Sequence, residues 1–204
     1  MIYLLRLSSL DENAPCSTRR RAQTARLGNA SEVRESLGAE AALWRAFADR
    51  YPHDAYPFDY GKTEEGKPFF ENYPDFHFSL THTKTWAACA ALDAPCGVDV
   101  ERVGRIGERV IERAFHPLER EYLDGLEDRE REIRAAQIWC MREAYGKMKG
   151  KGLLSLTRDF YALPCGGCSD ENCEFSLFSP DENHVGALCA ERPLRDADTG
   201  IIVM

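Results

Sequence analysis

The sequence predicts an α+β protein, and three observations carry that class. Strand-like segments follow one another directly between Phe76 and Glu101 instead of alternating with helices. Helical periodicity is concentrated in two long stretches, one from Asn29 to the Tyr51-Pro52 stop and one from about Asp128 to Met148. Short apolar runs with strand character then return and close the chain. Consecutive strands imply antiparallel pairing, with the helices segregated from them.

Each element has a local reason. Ile2 to Leu7 reads as a strand, and Cys16 to Leu27 as a basic, helical stretch containing Arg19-Arg20-Arg21 and Arg26. Asn29-Ala-Ser-Glu32 supplies a helix cap and box, after which Val33, Leu37, Ala41, Leu43, Trp44 and Phe47 recur at roughly helical spacing. Residues 53–75, rich in Pro, Gly, Tyr and Asp, read as loop. Phe76, Phe78 and Leu80 alternate with His77 and Ser79, Thr85 to Leu92 is a second strand, and Cys96 to Glu101 follows the Asp93-Ala-Pro95 turn as a third. Helices are predicted over Ile106 to Phe115 and from His116-Pro117, where proline suits a first turn. Gly150 and Gly152 end the long helix, and short strands follow around Phe160, Phe175 to Phe178, Val185 to Ala190 and Ile201 to Met204.

Composition narrows the class. A chain of 204 residues can bury a core without disulfides or metal. Hydrophobic residues at 44% and charged residues at 29% argue against a disordered chain. No apolar run approaches the ~18 residues of a membrane span. The N-terminus is short and apolar with Arg6 inside it and no basic leader, so a cytoplasmic protein with reduced thiols is expected. Lys and Arg at 26 against Asp and Glu at 34 give a net charge of −8, which makes nucleic acid a poor general partner.

Three features can carry chemistry. Within Gly97-Val98-Asp99-Val100-Glu101, a strand puts both carboxylates on one face, where a divalent cation or water would relieve their repulsion; the plainer reading is the solvated face of an edge strand. Ala136, Trp139, Cys140, Glu143 and Lys147 share one helix face, yet Glu143 and Lys147 could equally be a surface pair at i,i+4. Thr81-His82-Thr83 at a strand end can hold an anion, although a histidine there can equally be a hydrogen-bonded loop residue. Among the eight cysteines, Cys89, Cys96, Cys140 and Cys189 sit in apolar patterns. Cys165, Cys168 and Cys173 form a cluster for which His184 is the one plausible fourth zinc ligand; a surface loop with spare thiols is the alternative.

Order and spacing join these features. Phe-Ser-Leu-Thr-His-Thr at 78–83, Gly-Val-Asp-Val-Glu at 97–101, Arg-Ala-Phe-His at 113–116, Trp-x-x-Arg-Glu-Ala-x-x-Lys at 139–147 and Gly-Lys-Gly-Leu at 150–153 together resemble the 4′-phosphopantetheinyl transferases. The length and the run before residue 78 are similar to the larger, Sfp-type branch. The resemblance covers roughly residues 19–160, including Arg34-x-x-Leu37-Gly38 and Gly66-Lys67-Pro68.

That resemblance implies two similarly folded, pseudo-two-fold-related halves, 1–97 and 98–204, with the active site between them. It implies transfer of phosphopantetheine from coenzyme A to a serine hydroxyl of an acyl or peptidyl carrier protein, releasing 3′,5′-ADP. It further implies Mg²⁺ (or Mn²⁺) at Asp99, Glu101 and Glu143, and a catalytic role for Asp99, Glu143 and Lys147. Glu143 is also the implied base for the acceptor serine. Thr81, His82, Lys67, Pro68 and Arg19 are the implied contacts for the adenine and 3′-phosphate. The partners implied are coenzyme A and a carrier protein, with no nucleic acid or membrane, and a monomer is expected. Arg142 stands where the family usually has lysine, and Thr81 where it usually has serine. A catalytically silent binder of coenzyme A or carrier protein, and a zinc-dependent interaction module at Cys165 to Cys173, are the competing readings.

Overall fold

Alternation of side chains along the strands decides how the chain layers. In the computed structural model, which describes residues 1–11, 14–56, 59–151 and 160–204, β1 (Ile2–Arg6), β4 (His77–His82), β5 (Trp86–Leu92) and β9 (Ile201–Val203) form one sheet in the order β4-β5-β1-β9. A second sheet has the order β6 (Cys96–Arg102), β8 (His184–Ala190), β7 (Glu174–Asp181). One face of each sheet meets the other: Ile2, Leu4, Ala88, Ala90 and Leu92 pack against Val98, Val100, Leu188 and Ala190. The opposite faces take the two long helices, α2 (Ala30–Arg50) on the first sheet and α5 (Asp128–Met148) on the second. The result is a helix–sheet–sheet–helix stack, within the predicted α+β class.

Two expectations need correcting. The pairing is antiparallel except for β9, which runs parallel to β1 with Ile2 opposite Ile201. The chain returns from the second sheet through the short helix α6 (Asp196–Thr199) and reaches the free edge of β1 in the same direction as that strand. Residues 53–75, read as loop, carry the hairpin of β2 (Gly61–Lys62) and β3 (Pro68–Phe69), and Tyr56, Tyr60 and Phe70 among them are core. Tyr56, Tyr60, Phe70 and Phe76 are buried around Phe47 of α2, and Tyr73 lies edge-on to it at 4.8 Å between ring centres. A boundary at residue 97 falls inside β6, and β9 completes the first sheet from the far end of the chain.

Boundaries elsewhere follow the local chemistry. Asn29 caps α2, its Oδ1 accepting from the Ser31 N–H at 2.9 Å. α1 (Thr18–Thr24) is capped by Ser17 and docks on α2 through Arg20, which bonds the buried Glu40 at 2.9 Å. α3 (Glu108–Ala114) precedes α4 (Pro117–Asp124), whose His116 cap forms a reciprocal box with Glu119. Gly150 takes φ +74° after α5, a conformation glycine enters without a Cβ penalty, whereas Gly152 lies outside the described residues. Phe160 lies beside an isolated bridge between Ala162 and Cys168, not in a longer strand. Among the described residues no helix is long and apolar enough to cross a membrane.

Two contacts fix the stack. At Gly97, α5 lies directly on β6: a Cβ there would collide with the Ala144 carbonyl and come within 2.7 Å of the Met148 nitrogen. Between the sheets, Trp86 of β5 donates its indole N–H to Asp181 at the end of β7, at 2.8 Å. Burial pushes the Asp181 carboxyl up, but hydrogen bonds from Trp86, His184 and the Asn183 N–H outweigh it and hold the group at about 2.

Gly97→Ala is therefore expected to destabilise the fold by about 3 kcal/mol or more in urea unfolding, because backbone on a packed helix has to yield. Asp181→Asn is expected to cost about 1–2 kcal/mol at neutral pH. A carboxylate depressed in the folded state stabilises above its unfolded pKa. The gap between the two proteins should thus be constant above about pH 5 and close as pH falls from about 4 toward about 2. A gap that persisted unchanged at the acid end would exclude the inter-sheet carboxylate as its source.

Candidate active site at the seam of the two sheets

The seam forms where the edge strands β4 and β6 meet. Ser79 Oγ accepts from the Val98 N–H at 3.0 Å, which satisfies an edge donor of β6. Two residues on, Thr81 Oγ1 donates to Asp99 Oδ1 at 2.8 Å. Strand alternation sends Val98 and Val100 into the core between the sheets, and Asp99 and Glu101 toward α5. Both carboxylates are buried, at 6% and 8% exposure, so the solvated-edge reading does not hold.

α5 supplies the opposite wall. Glu143 and Lys147 line one cavity of about 340 Å³ together with Leu80, Thr81, His82, Asp99, Glu101, Arg105 and Trp139. Lys147 does not pair with Glu143 across a helix turn. Its Nζ reaches β6, donating to Asp99 Oδ1 at 2.7 Å and to the Val98 carbonyl at 3.1 Å. Arg105 grips Glu101 with one Nη at 2.6 and 2.7 Å from the two carboxylate oxygens. Burial raises the Glu143 carboxyl above its usual range, and Asp99 and Glu101 add to the rise against the pull of Lys147. Burial likewise raises Glu101, opposed by Arg105.

Lys67 and Pro68 line an adjoining cavity of about 230 Å³ that shares Leu80 and Lys147 with the first. The Lys67 ammonium donates to the Met148 carbonyl at 2.7 Å, a cation on the C-terminal turn of α5, and burial lowers its pKa. His82 faces Glu35 of α2, Nδ1 to Oε2 at 3.1 Å. Arg19 lines neither cavity; it lies over the Tyr60 ring and donates to the Tyr60 carbonyl at 3.2 Å. The structure thus brings together Thr81, His82, Asp99, Glu101, Glu143 and Lys147, sets Lys67 and Pro68 next door, and leaves Arg19 apart.

Among the described residues, no three His, Cys, Asp or Glu side chains converge closely enough, as they stand, to hold a metal ion. The donor chemistry nevertheless fits a hard cation. Asp99 Oδ2 is buried without a hydrogen-bond partner, and three carboxylates share one cavity with two of them raised by burial and mutual repulsion. His184 cannot serve Cys165, Cys168 and Cys173 as a fourth zinc ligand. It bonds Asp181 at 2.8 Å, at the far end of β7 from Cys173.

Sequence reasoning passed over Glu119, Arg105 and Glu35. Arg142 is 2% exposed and its Nη1 bonds both oxygens of the fully buried Glu119 at 3.1 Å and the Phe160 carbonyl at 2.6 Å. Glu119 also accepts from the His116 and Ala162 N–H groups, so one carboxylate joins α4, α5 and the segment at 160–162. Burial pushes that carboxyl up in spite of Arg142. The signal available was the capping spacing His116-x-x-Glu119.

Known proteins are similar to this chain over the strand and helix that build the site, and beyond them. A sequence model of the 4′-phosphopantetheinyl transferase superfamily matches residues 95–189, the span from β6 through α5 to β8. A 4′-phosphopantetheinyl transferase of Bacillus subtilis is 28% identical over 192 residues, 88% of this chain and 84% of the relative. The 4′-phosphopantetheinyl transferase Sfp of Bacillus subtilis (strain 168) is 26% identical over 205 residues, 94% of this chain and 91% of the relative. The chain is thus similar to the 4′-phosphopantetheinyl transferases over the acidic strand and the long helix and, against these relatives, along nearly its whole length.

Proposed function

We propose that this protein transfers the 4′-phosphopantetheine group of coenzyme A to a serine hydroxyl of an apo acyl or peptidyl carrier protein, releasing 3′,5′-ADP, in the manner of holo-acyl-carrier-protein synthases. The observation that carries this reading is the convergence of Asp99, Glu101, Glu143 and Lys147 with Thr81 and His82 in one cavity at the seam. Intact carboxylates and lysine favour a working enzyme over a silent binder of the same ligands. We read it as a cytoplasmic monomer with reduced thiols and without a nucleic-acid or membrane partner.

Asp99, Glu101 and Glu143 would hold the divalent cation, Mg²⁺ or Mn²⁺. When bound, the ion neutralises charge on the pyrophosphate of coenzyme A. Arg105 has to release Glu101 for that carboxylate to ligate. Lys147, anchored on Asp99 and the Val98 carbonyl, presents its ammonium toward both cavities, where a transferring phosphate gains most from it. Glu143, whose carboxyl is raised, would take the serine proton itself or through a water. Thr81 and His82 on one side and Lys67 and Pro68 on the other would hold the 3′-phosphate and adenine, and Arg19 would have to leave Tyr60 to join them. The two halves, 1–97 and 98–204, would each contribute one wall.

Asp99→Ala and Glu143→Ala should lower transfer to an apo carrier protein by on the order of 10²–10³-fold or more. Glu101→Gln should be milder, since an amide oxygen still coordinates. Lys147→Ala should lower kcat more than it raises KM. Steady-state transfer followed by mass spectrometry of the carrier over a Mg²⁺ titration reads all four. Near-normal kcat with unchanged Mg²⁺ dependence in Asp99→Ala would remove that residue from the ligand set.

An acidic carrier meeting an acidic enzyme needs a local patch. The α3–α4 face offers exposed Arg109 and Arg113 beside exposed Leu118. The KM for carrier should therefore rise with ionic strength while the KM for apolar contacts alone would not; indifference to salt would remove the arginines from the docking surface.

A further inference from the structure

The loop after residue 160 carries chemistry that the transfer reaction does not use. Cys168 and Cys173 are part-exposed, and their sulfurs lie 3.8 Å apart. Both thiols point to the same carbonyl, that of Asp170, at 3.0 and 3.4 Å. The intervening Ser169-Asp170-Glu171-Asn172 turn is held by the Asp170 carboxylate, which accepts from the Asn172 N–H at 3.0 Å. The same carboxylate accepts from the Tyr145 hydroxyl at 2.8 Å and pairs with Lys149 at 3.3 Å, so the loop is pinned to the last turns of α5. Two thiols are thus kept face to face on a turn that cannot drift away.

We propose that Cys168 and Cys173 are a dithiol modification site, oxidised by hydrogen peroxide to an intraloop disulfide. The roles of the two sulfurs differ. The neighbouring Cys189 and Cys168 thiols hold Cys173 below its usual range, whereas burial pushes Cys168 up to about 11. Cys173 therefore supplies the thiolate that attacks peroxide. The O–O bond breaks, Cys173 becomes a sulfenic acid, and the departing hydroxide takes up the thiol proton to leave as water. Cys168 sulfur then attacks Cys173 sulfur, the S–O bond breaks, and the hydroxyl leaves with the Cys168 proton as a second water. Two thiols are oxidised and one peroxide is reduced. A metal is the weaker use of this pair, because among the described residues no third ligand joins it.

The test is peptide mapping of the full chain after graded exposure to hydrogen peroxide, with free thiols alkylated under denaturing conditions. The expected product is a Cys168–Cys173 crosslink lacking two hydrogens and reversed by a thiol reductant, formed while the fully buried Cys89, Cys96 and Cys140 stay alkylatable. Cys168→Ser should leave a sulfenic acid on Cys173 that a dimedone probe captures. Cys173→Ser should bring oxidation of Cys168 down to the rate of the exposed Cys165. Three results would overturn the proposal: independent over-oxidation of Cys165, Cys168 and Cys173 without a crosslink, a Cys173–Cys189 bond in its place, or stoichiometric zinc retained on thiols that resist peroxide. None of these readouts depends on transferase activity.

Discussion

Everything at the seam depends on how closely α5 lies on β6. Gly97 permits that contact, since any side chain there would displace the Ala144–Met148 turn. Lys147 belongs to that turn and Glu143 precedes it. Lifted away by the thickness of a methyl group, the helix would carry Lys147 Nζ out of reach of the Val98 carbonyl and Asp99, which it now touches at 3.1 and 2.7 Å. The small Ala136 and Ala144 on the same helix, both fully buried, continue the fit. The Gly-Val-Asp-Val-Glu motif is thus a packing instruction: glycine admits the helix, valines bind the sheets together, and carboxylates fill the space that remains.

Closeness of this kind needs support from behind. Arg142 and Glu119 provide it, at a desolvation cost that only dense hydrogen bonding offsets. Glu119 accepts from Arg142, His116 N–H and Ala162 N–H, and Arg142 also holds the Phe160 carbonyl. Phe160 in turn stacks on Tyr145 at 4.0 Å. One guanidinium nitrogen of Arg142 makes all of its contacts to Glu119 and the Phe160 carbonyl, and the planar group lies near the Phe160 ring, 5.7 Å from its centroid. Arg142 thus neutralises the buried Glu119 and ties it to the 160–162 segment in one contact set.

Much of this was legible in the residues. The strands β4 to β6 and the span of α5 follow from alternation and helical spacing, because one face of each is buried and the period reports which. The carboxylates and Lys147 were legible from spacing, yet their burial was not: β6 is an edge strand in hydrogen bonding, and β4, arriving from the other sheet, covers that edge while α5 covers the face the carboxylates point to. Residues 53–75 misled for the opposite reason. Their Gly and Pro content marks irregular backbone correctly, but irregular backbone can still deliver Tyr56, Tyr60 and Phe70 to a core. β9 was legible as a strand but not in direction, since parallel pairing is decided by where the preceding chain crosses. Glu35 on His82 is a tertiary pairing that no spacing reports, and Arg105 meets Glu101 four residues away across the turn after β6, where a spacing of four carries no helical signal.

The charge of the seam resolves an apparent conflict between an acidic protein and a polyanionic ligand. The two adjoining cavities are opposite in sign: Asp99, Glu101 and Glu143 line one, while Lys67, Lys147 and Lys151 line the other, with Lys147 common to both. Net charge of −8 acts over the whole surface and is screened within about 10 Å at ordinary salt, whereas these groups act at contact distance in a partly buried site. Acid on one side recruits positive charge, and in its absence Lys147 and Arg105 already stand against Asp99 and Glu101 as internal counter-charges. Base on the other side attracts an anion directly. A ligand that carries phosphates and arrives with a divalent cation matches both signs at once, whereas a bare anion or a bare cation matches only one; the polarity of the cleft therefore selects for the pair.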